Sequence, residues 1–116
     1  MIRSHKDLAV YKLSLELVVD IYKLTNQFPK EEQYGLTAQI KRACISVPSN
    51  IAEGAGRKGK AEFIRFLYIA MGSLSEVDAQ LEIAVMLSFC ETEEHIVNKI
   101  YLIKRMLAKL IKSLGD

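Results

Sequence analysis

The stretch Ser49–Phe63, SNIAEGAGRKGKAEF, holds the residues of this 116-residue chain best suited by type and spacing to chemistry. Gly54, Gly56 and Gly59 fit G-x-G-x-x-G, and Gly54 with Gly59-Lys60 falls one residue short of a Walker A loop. Both patterns bind phosphate through glycine amides at the start of a helix, and both require a strand before the loop. ACISV, residues 43–47, could pass for a strand in isolation, but no second segment reads as a parallel-sheet strand, and a lone strand forms no sheet. Walker A also needs Ser or Thr after its lysine to hold magnesium, and Ala61 stands there. A dinucleotide fold needs repeated βα units, for which a chain of this length and pattern has no room. Nucleotide chemistry is therefore not expected.

The remaining reactive residues are sparse. His5 and His95 are the two histidines, Cys44 and Cys90 the two cysteines, and neither pair has metal-ligand spacing. No E-x-x-H pair of the kind used by di-iron bundles occurs. No catalytic residue, metal site or cofactor is expected, and the cysteines read as small buried thiols.

The elements that position these residues are helices. Phe63, Leu67, Ala70, Leu74, Val77, Leu81 and Ala84 follow a 4-3-4-3-4-3 spacing, and Ile96, Ile100, Ile103, Leu107, Leu110 and Leu114 follow 4-3-4-3-4. Such seams mark packed helices. Leu8, Tyr11, Leu15, Val18 and Tyr22 give a third seam, and Leu36, Ile40, Ala43, Val47 and Ile51 a fourth. Ser4 and Asp7 can cap the first helix, Pro29 ends it, Gly35 precedes the second, three glycines separate the second from the third, and Thr92 can cap the fourth. The helices predicted lie near residues 7–27, 34–55, 60–88 and 92–114. Short connections make neighbours antiparallel, so the fold class is all-α: one domain over residues 1–116, an up-down-up-down four-helix bundle. Pro48 falls inside the second helix at a cost of about 3 kcal/mol. It predicts a kink compensated by Ser46 or Ser49, with a break into two helices as the alternative.

Apolar residues exceed what one seam per helix can bury. Val10, Leu13, Leu17, Ile21 and Leu24 lie off the first seam; Ile64, Phe66, Tyr68, Ile69 and Met71 off the third helix's; Val97, Tyr101, Leu102, Met106 and Ile111 off the fourth's. A helix this apolar should be covered on a second side, which predicts a homo-oligomer. No apolar run reaches the ~18 residues of a membrane span, and MIRSHKDLAV lacks the apolar core of a signal peptide, so a cytoplasmic protein without membrane attachment is expected.

Net charge is only +2, but the topology sorts it. One pole collects Arg3, Lys6, Arg57, Lys58, Lys60, Arg65, Lys109 and Lys112 against Asp7, Glu53, Glu62 and Asp116, eight cations to four carboxylates. The other holds Lys30 against Glu31, Glu32, Glu91, Glu93 and Glu94. The helix macrodipole accounts for the acids beginning the fourth helix and the lysines ending it. It does not account for Arg57, Lys58, Lys60 and Arg65, which sit at a helix start, where cations are disfavoured by a few tenths of a kcal/mol each. A cluster set against its local field points to an anionic partner, the RNA or DNA backbone, with Lys41, Arg42, Lys104 and Arg105 extending the contact along the sides. A solvated basic loop is the bland alternative. A protein-interaction scaffold using the apolar stripe or the acidic pole is the rival function.

From Asp7 to Ala84 the chain closely resembles the four-helix-bundle family encoded in intervening sequences of bacterial 23S ribosomal RNA genes, most specifically in SVPSNIAEG at 46–54 and EFIRFLYIAMGSLSE at 62–76. The resemblance implies a ring-shaped homopentamer without enzymatic activity. It also implies kinship with the accessory variability proteins of diversity-generating retroelements, which bind nucleic acid and a reverse transcriptase. The family motif falls on Ser46, Pro48, Ser49, Asn50, Glu53 and Gly54. Structurally, Ser49 and Asn50 would satisfy backbone groups freed by Pro48, and Glu53 would pair with Arg42, three turns earlier on the same face. A polar recognition site at Asn50 and Glu53 is the functional alternative.

Overall fold

A computed structural model of the chain describes residues 4–115, the side chain of Asp7 excepted. Arg3 and Asp116, two of the charges assigned to the basic pole, lie outside the described residues, as does the proposed Asp7 cap. Four helices, α1 Ala9–Thr25, α2 Leu36–Ala55, α3 Lys60–Met86 and α4 Glu94–Ser113, make up the structure, with 3-10 turns at His5–Asp7 and Lys30–Glu32. Among the described residues there is no strand, and ACISV lies within α2.

Each helix packs on its chain neighbour and α4 closes on α1, while the diagonal pairs stay apart among the described residues. Cross-contacts fix the directions. Tyr22 meets Lys41 while Tyr11 and Ala52 line one recess. Ser46 meets Ser73 while Gly54 meets Phe66. Lys104 reaches Asp78, and Lys99 near the start of α4 reaches Asp20 near the end of α1. Every neighbour is therefore antiparallel, and the bundle is 43 Å long and 25 by 20 Å across.

Three of the expected seams form the core: Ile40, Val47 and Ile51 of α2, Leu67, Leu74 and Val77 of α3, and Ile103 and Leu107 of α4 are fully buried. The first helix departs from expectation. Val10, Leu17, Ile21 and Leu24 face the core, whereas Leu15 and Tyr22, placed on the expected seam, are 42% and 40% exposed. α1 is apolar on two faces, both with helical spacing, and spacing alone does not tell which one faces inward. Phe66 and Ile111, expected to need an outside partner, are likewise buried within the chain.

The helix ends show how local chemistry sets the boundaries. Glu32 accepts a hydrogen bond from the Leu36 amide at 3.0 Å and so caps α2. A side chain at Gly35 would place its Cβ 2.8 Å from that carboxylate oxygen. α3 ends in a Schellman turn: the Phe89 amide bonds the Ala84 carbonyl, the Ser88 amide bonds Val85, and Ser88 takes the left-handed conformation with φ 62°. Phe89 then packs on Phe28, ring centroids 5.8 Å apart. α1 starts at Ala9 after Leu8 and α4 at Glu94 after Glu93, neither with a side-chain cap, so Thr92 does not cap α4. Ser4 accepts from the Lys6 amide, ahead of α1.

α2 runs unbroken through Pro48, whose ring is buried, so the two-helix alternative does not occur. Next to it, the Asn50 amide nitrogen donates to the Ser46 carbonyl at 2.8 Å and to its hydroxyl at 2.9 Å, and that hydroxyl bonds Ser73 of α3 at 2.8 Å. The carbonyl bonded by Asn50 is therefore that of Ser46, not the one freed at Cys44, and Ser49 points to solvent. The Asn50–Ser46–Ser73 chain ties α2 to α3.

Two glycines in helix interiors give opposite expectations. A Cβ on Gly54 would lie 2.7 Å from Cβ of Phe66 and 3.1 Å from Cδ1 of Phe63, whereas one on Gly72 meets nothing within 4 Å. Gly72→Ala should stabilise the fold by about 0.5–1 kcal/mol through helix propensity. Gly54→Ala should destabilise it by about 1–3 kcal/mol because the helices must part. Urea unfolding of the two variants checks both signs.

A second expectation concerns the α1–α4 tie. Lys99 Nζ lies 2.6 Å from Asp20 and 3.5 Å from Glu16, with the lysine side chain only 18% exposed. The hydrogen bond to Asp20 raises the Lys99 ammonium above the ordinary lysine range, and the nearby Glu16 carboxylate adds to it. A raised lysine stabilises fully below its unfolded value of about 10.4 and loses that contribution as pH climbs through the folded one. Asp20→Asn should cost about 1–2 kcal/mol, between the exposed and buried extremes for ion pairs. The deficit should hold from pH 7 to about pH 10 and shrink above it, as measured by urea unfolding across that range.

Candidate nucleic-acid interface

The antiparallel order brings the start of α1, the end of α2, the start of α3 and the end of α4 to one pole. The α2–α3 connection crosses it, and its three glycines do three different jobs. Gly54 is buried where the backbone of α2 lies against Phe63 and Phe66 of α3. Gly56 ends α2, its amide bonded to the Ala52 carbonyl. Gly59, at φ 92°, takes the conformation that side chains resist and starts α3. No strand enters this loop, so the glycines serve a helix–helix turn rather than a nucleotide loop.

The four basic residues of this region divide into two kinds. Arg57 forms an ion pair with Glu53 at 3.2 Å and lies over the Phe66 ring at 5.1 Å. Arg65 pairs with Glu62 at 3.0 Å and stands 4.5 Å from the same ring. Phe66 thus carries a guanidinium from the loop and another from its own helix. The bond from Arg65 holds the Glu62 carboxyl below the usual carboxylate range and raises the guanidinium in return. Glu53 pairs with Arg57, one turn away, instead of the expected Arg42. Both arginines keep roughly half their side-chain surface exposed. Lys58 and Lys60 are exposed and form no ion pair among the described residues. They flank the start of α3, whose first amides have no side-chain cap.

The other expected basic residues lie on different sides. Lys41 sits over the Tyr22 ring at 4.6 Å on the α1–α2 edge, and Arg42 lines a polar recess between α2 and α3 with Gln39, Glu76 and Gln80. Both are some fourteen residues, ~20 Å of helix, from the end of α2. Lys104 faces α3 through Asp78 at 3.6 Å, and Arg105 beside it is exposed. The structure therefore brings Arg57, Lys58, Lys60 and Arg65 together and leaves these four on the flanks.

Sequence reasoning missed Phe66 as the platform for two arginines and Lys99 as the tie to α1. Phe66 was detectable only as an apolar residue off the main seam, and Lys99–Asp20 spans 79 positions with no local signal.

The nucleophiles do not converge on a site. Cys44 is buried and its thiol is pushed up to about 11 by desolvation; burial, with the Glu93 carboxylate, also raises Cys90. Both are free thiols. His5 packs edge-on against Tyr11, 4.8 Å between centroids, while His95 lies at the far pole beside Glu93. Among the described residues no group of three or more His, Cys, Asp or Glu could hold a metal, and no helix is long and apolar enough to cross a membrane.

Residues 6–109, all four helices save the last turn of α4, match the family model described as 23S rRNA-intervening sequence protein. A crystal structure of a protein of unknown function from the S23 ribosomal protein family of Bacteroides thetaiotaomicron is similar at a TM-score of 0.82 and 29% identity, over 90% of this chain and 99% of that one. Among curated proteins none matches. With the match spanning nearly the whole bundle, the chain belongs to the 23S rRNA-intervening sequence protein family.

Proposed function

We propose that the protein is a non-enzymatic accessory protein of the cytoplasm that binds the phosphate backbone of nucleic acid at its basic pole. The observation that carries this is the state of Lys58 and Lys60: exposed, without an ion pair among the described residues, and flanking the uncapped start of α3, whose dipole disfavours the charge of Lys60 in its first turn. Arg57 and Arg65, held outward on Phe66, widen the cationic surface. Such a surface reads charge and not sequence, because phosphate contacts position a duplex without distinguishing bases. Lys41, Arg42, Lys104 and Arg105 would add weaker contacts where a long strand wraps the flanks.

The same proposal includes self-association. Leu15, Val19, Tyr22 and Ile45 are exposed on α1 and α2, and Leu15 and Ile45 share one recess beside Pro48. Covering this surface with a second protomer removes it from water. The resemblance to ring-forming bundles supports a closed ring of five, in which each protomer would present its basic pole and multiply a weak contact.

Two outcomes are expected. In a gel-shift titration against structured RNA, Lys58→Ala/Lys60→Ala should flatten the slope of log affinity against log salt by about 0.7–0.9 for each phosphate no longer neutralised, with a tens-fold weaker affinity at ~0.1 M salt. No shift by the intact protein at low salt, or binding unchanged after all four pole residues become Ala, overturns the proposal. In light scattering, the wild type should run as an oligomer and Leu15→Asp/Ile45→Asp as a smaller species. A monomeric wild type removes the self-association.

A further inference from the structure

α3 and α4 pack less closely than α2 and α3, and at the pole opposite the basic loop a cleft of about 210 Å³ opens between them. Its walls are Leu81 and Val85 from α3 and Ile96 and Val97 from α4. The Schellman turn at Ser88 folds the connection back so that Cys90 closes the cleft, and Met86 stands at the rim with 84% of its surface exposed. Four carboxylates, Asp78, Glu82, Glu91 and Glu93, surround this apolar pocket.

The opposing charges are few. Lys104 reaches Asp78 at 3.6 Å. Between Phe66 and Asn98 the sequence has no lysine or arginine. A phosphate backbone is repelled here, so this surface is not part of the nucleic-acid interface.

We infer that this cleft docks a cationic amphipathic segment of a partner polypeptide, with an apolar side chain seated between α3 and α4 and lysines or arginines against the carboxylate rim. Three observations select that occupant. The cleft is smaller than the roughly 300–1,000 Å³ of sites that enclose whole small molecules, so it fits anchor side chains of a longer ligand. Its apolar walls inside an acidic rim complement a helix with one apolar and one basic face, the mode in which amphipathic helices enter grooves. The exposed thioether of Met86 can adapt its shape to an incoming side chain. The basic loop of a second copy fits less well: its nearest large apolar residues, Phe63 and Phe66, are packed within their own protomer.

The test uses the full-length protein and a synthetic fluorescent 18-residue helix of leucine and lysine, beside a scrambled peptide of identical composition. Anisotropy should show the amphipathic peptide binding at least tenfold more tightly than the scrambled one. Glu82→Lys/Glu91→Lys and Val97→Asp should each weaken it tenfold or more, and Lys58→Ala/Lys60→Ala should leave it unchanged. The methyl resonance of Met86 should shift on peptide addition. Glu82 and Glu91 are exposed, so the charge-reversed protein decides the matter should Val97→Asp unfold. Equal binding of the two peptides overturns the inference, as does binding insensitive to the glutamate reversal or a shift confined to other methionines. Failure of the wild type to bind, with a drop in mass for Val97→Asp, assigns the cleft to a second copy and also overturns it. Because the nucleic-acid proposal rests on Lys58 and Lys60, either can fail alone.

Discussion

The close approach of α2 and α3 at Gly54 is the constraint on which the rest of the molecule depends. A methyl group there would stand 2.7 Å from Cβ of Phe66, so the bare backbone of α2 lies directly against α3. That proximity lets the short connection through Gly56 and Gly59 turn the chain around. It also places Phe66 beneath the connection, where Arg57 and Arg65 can both lie against its ring. Farther along the same contact, Ser46, Asn50 and Ser73 form a hydrogen-bonded chain across the two helices. Within the family motif, Gly54 makes the helix contact, Ser46 and Asn50 the hydrogen bonds, and Glu53 a half-exposed pair with Arg57.

The opposite edge of the bundle is built differently. α4 is held to α1 by Lys99, a largely shielded ammonium between Asp20 and Glu16, and to α3 by the outer pair Lys104–Asp78. Where α3 gives way to the loop, a cleft opens between it and α4. The two surfaces also differ in sign. Lys60 at the start of α3 opposes its local helix field, whereas Lys112 at the end of α4 and the acids at its start agree with theirs.

Most of the fold was legible because in α2, α3 and α4 the seam read from helical spacing is the face that is buried. α1 shows the limit. Leu15 and Tyr22 have the same periodicity as Leu17 and Ile21, and only the position of the other three helices decides which pair is covered. The end of α3 was legible merely as a break in pattern, since Ser88 occupies the left-handed position where glycine usually stands as a signal. For the candidate site, the charge cluster in the loop could be read directly. Its division into supported arginines and unsupported lysines could not, because it rests on Phe66 and on the rotamers of Glu53 and Glu62. The flanking Lys41, Arg42, Lys104 and Arg105 illustrate the same point: each adjacent pair diverges around its helix axis onto separate sides.

That division alters the argument for a phosphate partner. Read from the sequence, all four cations fall about the start of α3, where its dipole disfavours them, and carry equal weight; in the structure Arg57 directly follows the end of α2, whose dipole favours a cation, and Arg65 lies in the second turn of α3. In the folded chain the two arginines each gain a carboxylate and an aromatic face. Their presence is explained without a ligand. Lys58 and Lys60 gain neither, and each adds charge beside uncapped amides that themselves attract anions. The glycines beside them resemble a nucleotide loop only because a tight turn between helices and a phosphate cradle both need backbone without side chains. What separates the two is the element that precedes them. Here it is a helix packed on its neighbour, which leaves the lysines exposed on an open pole.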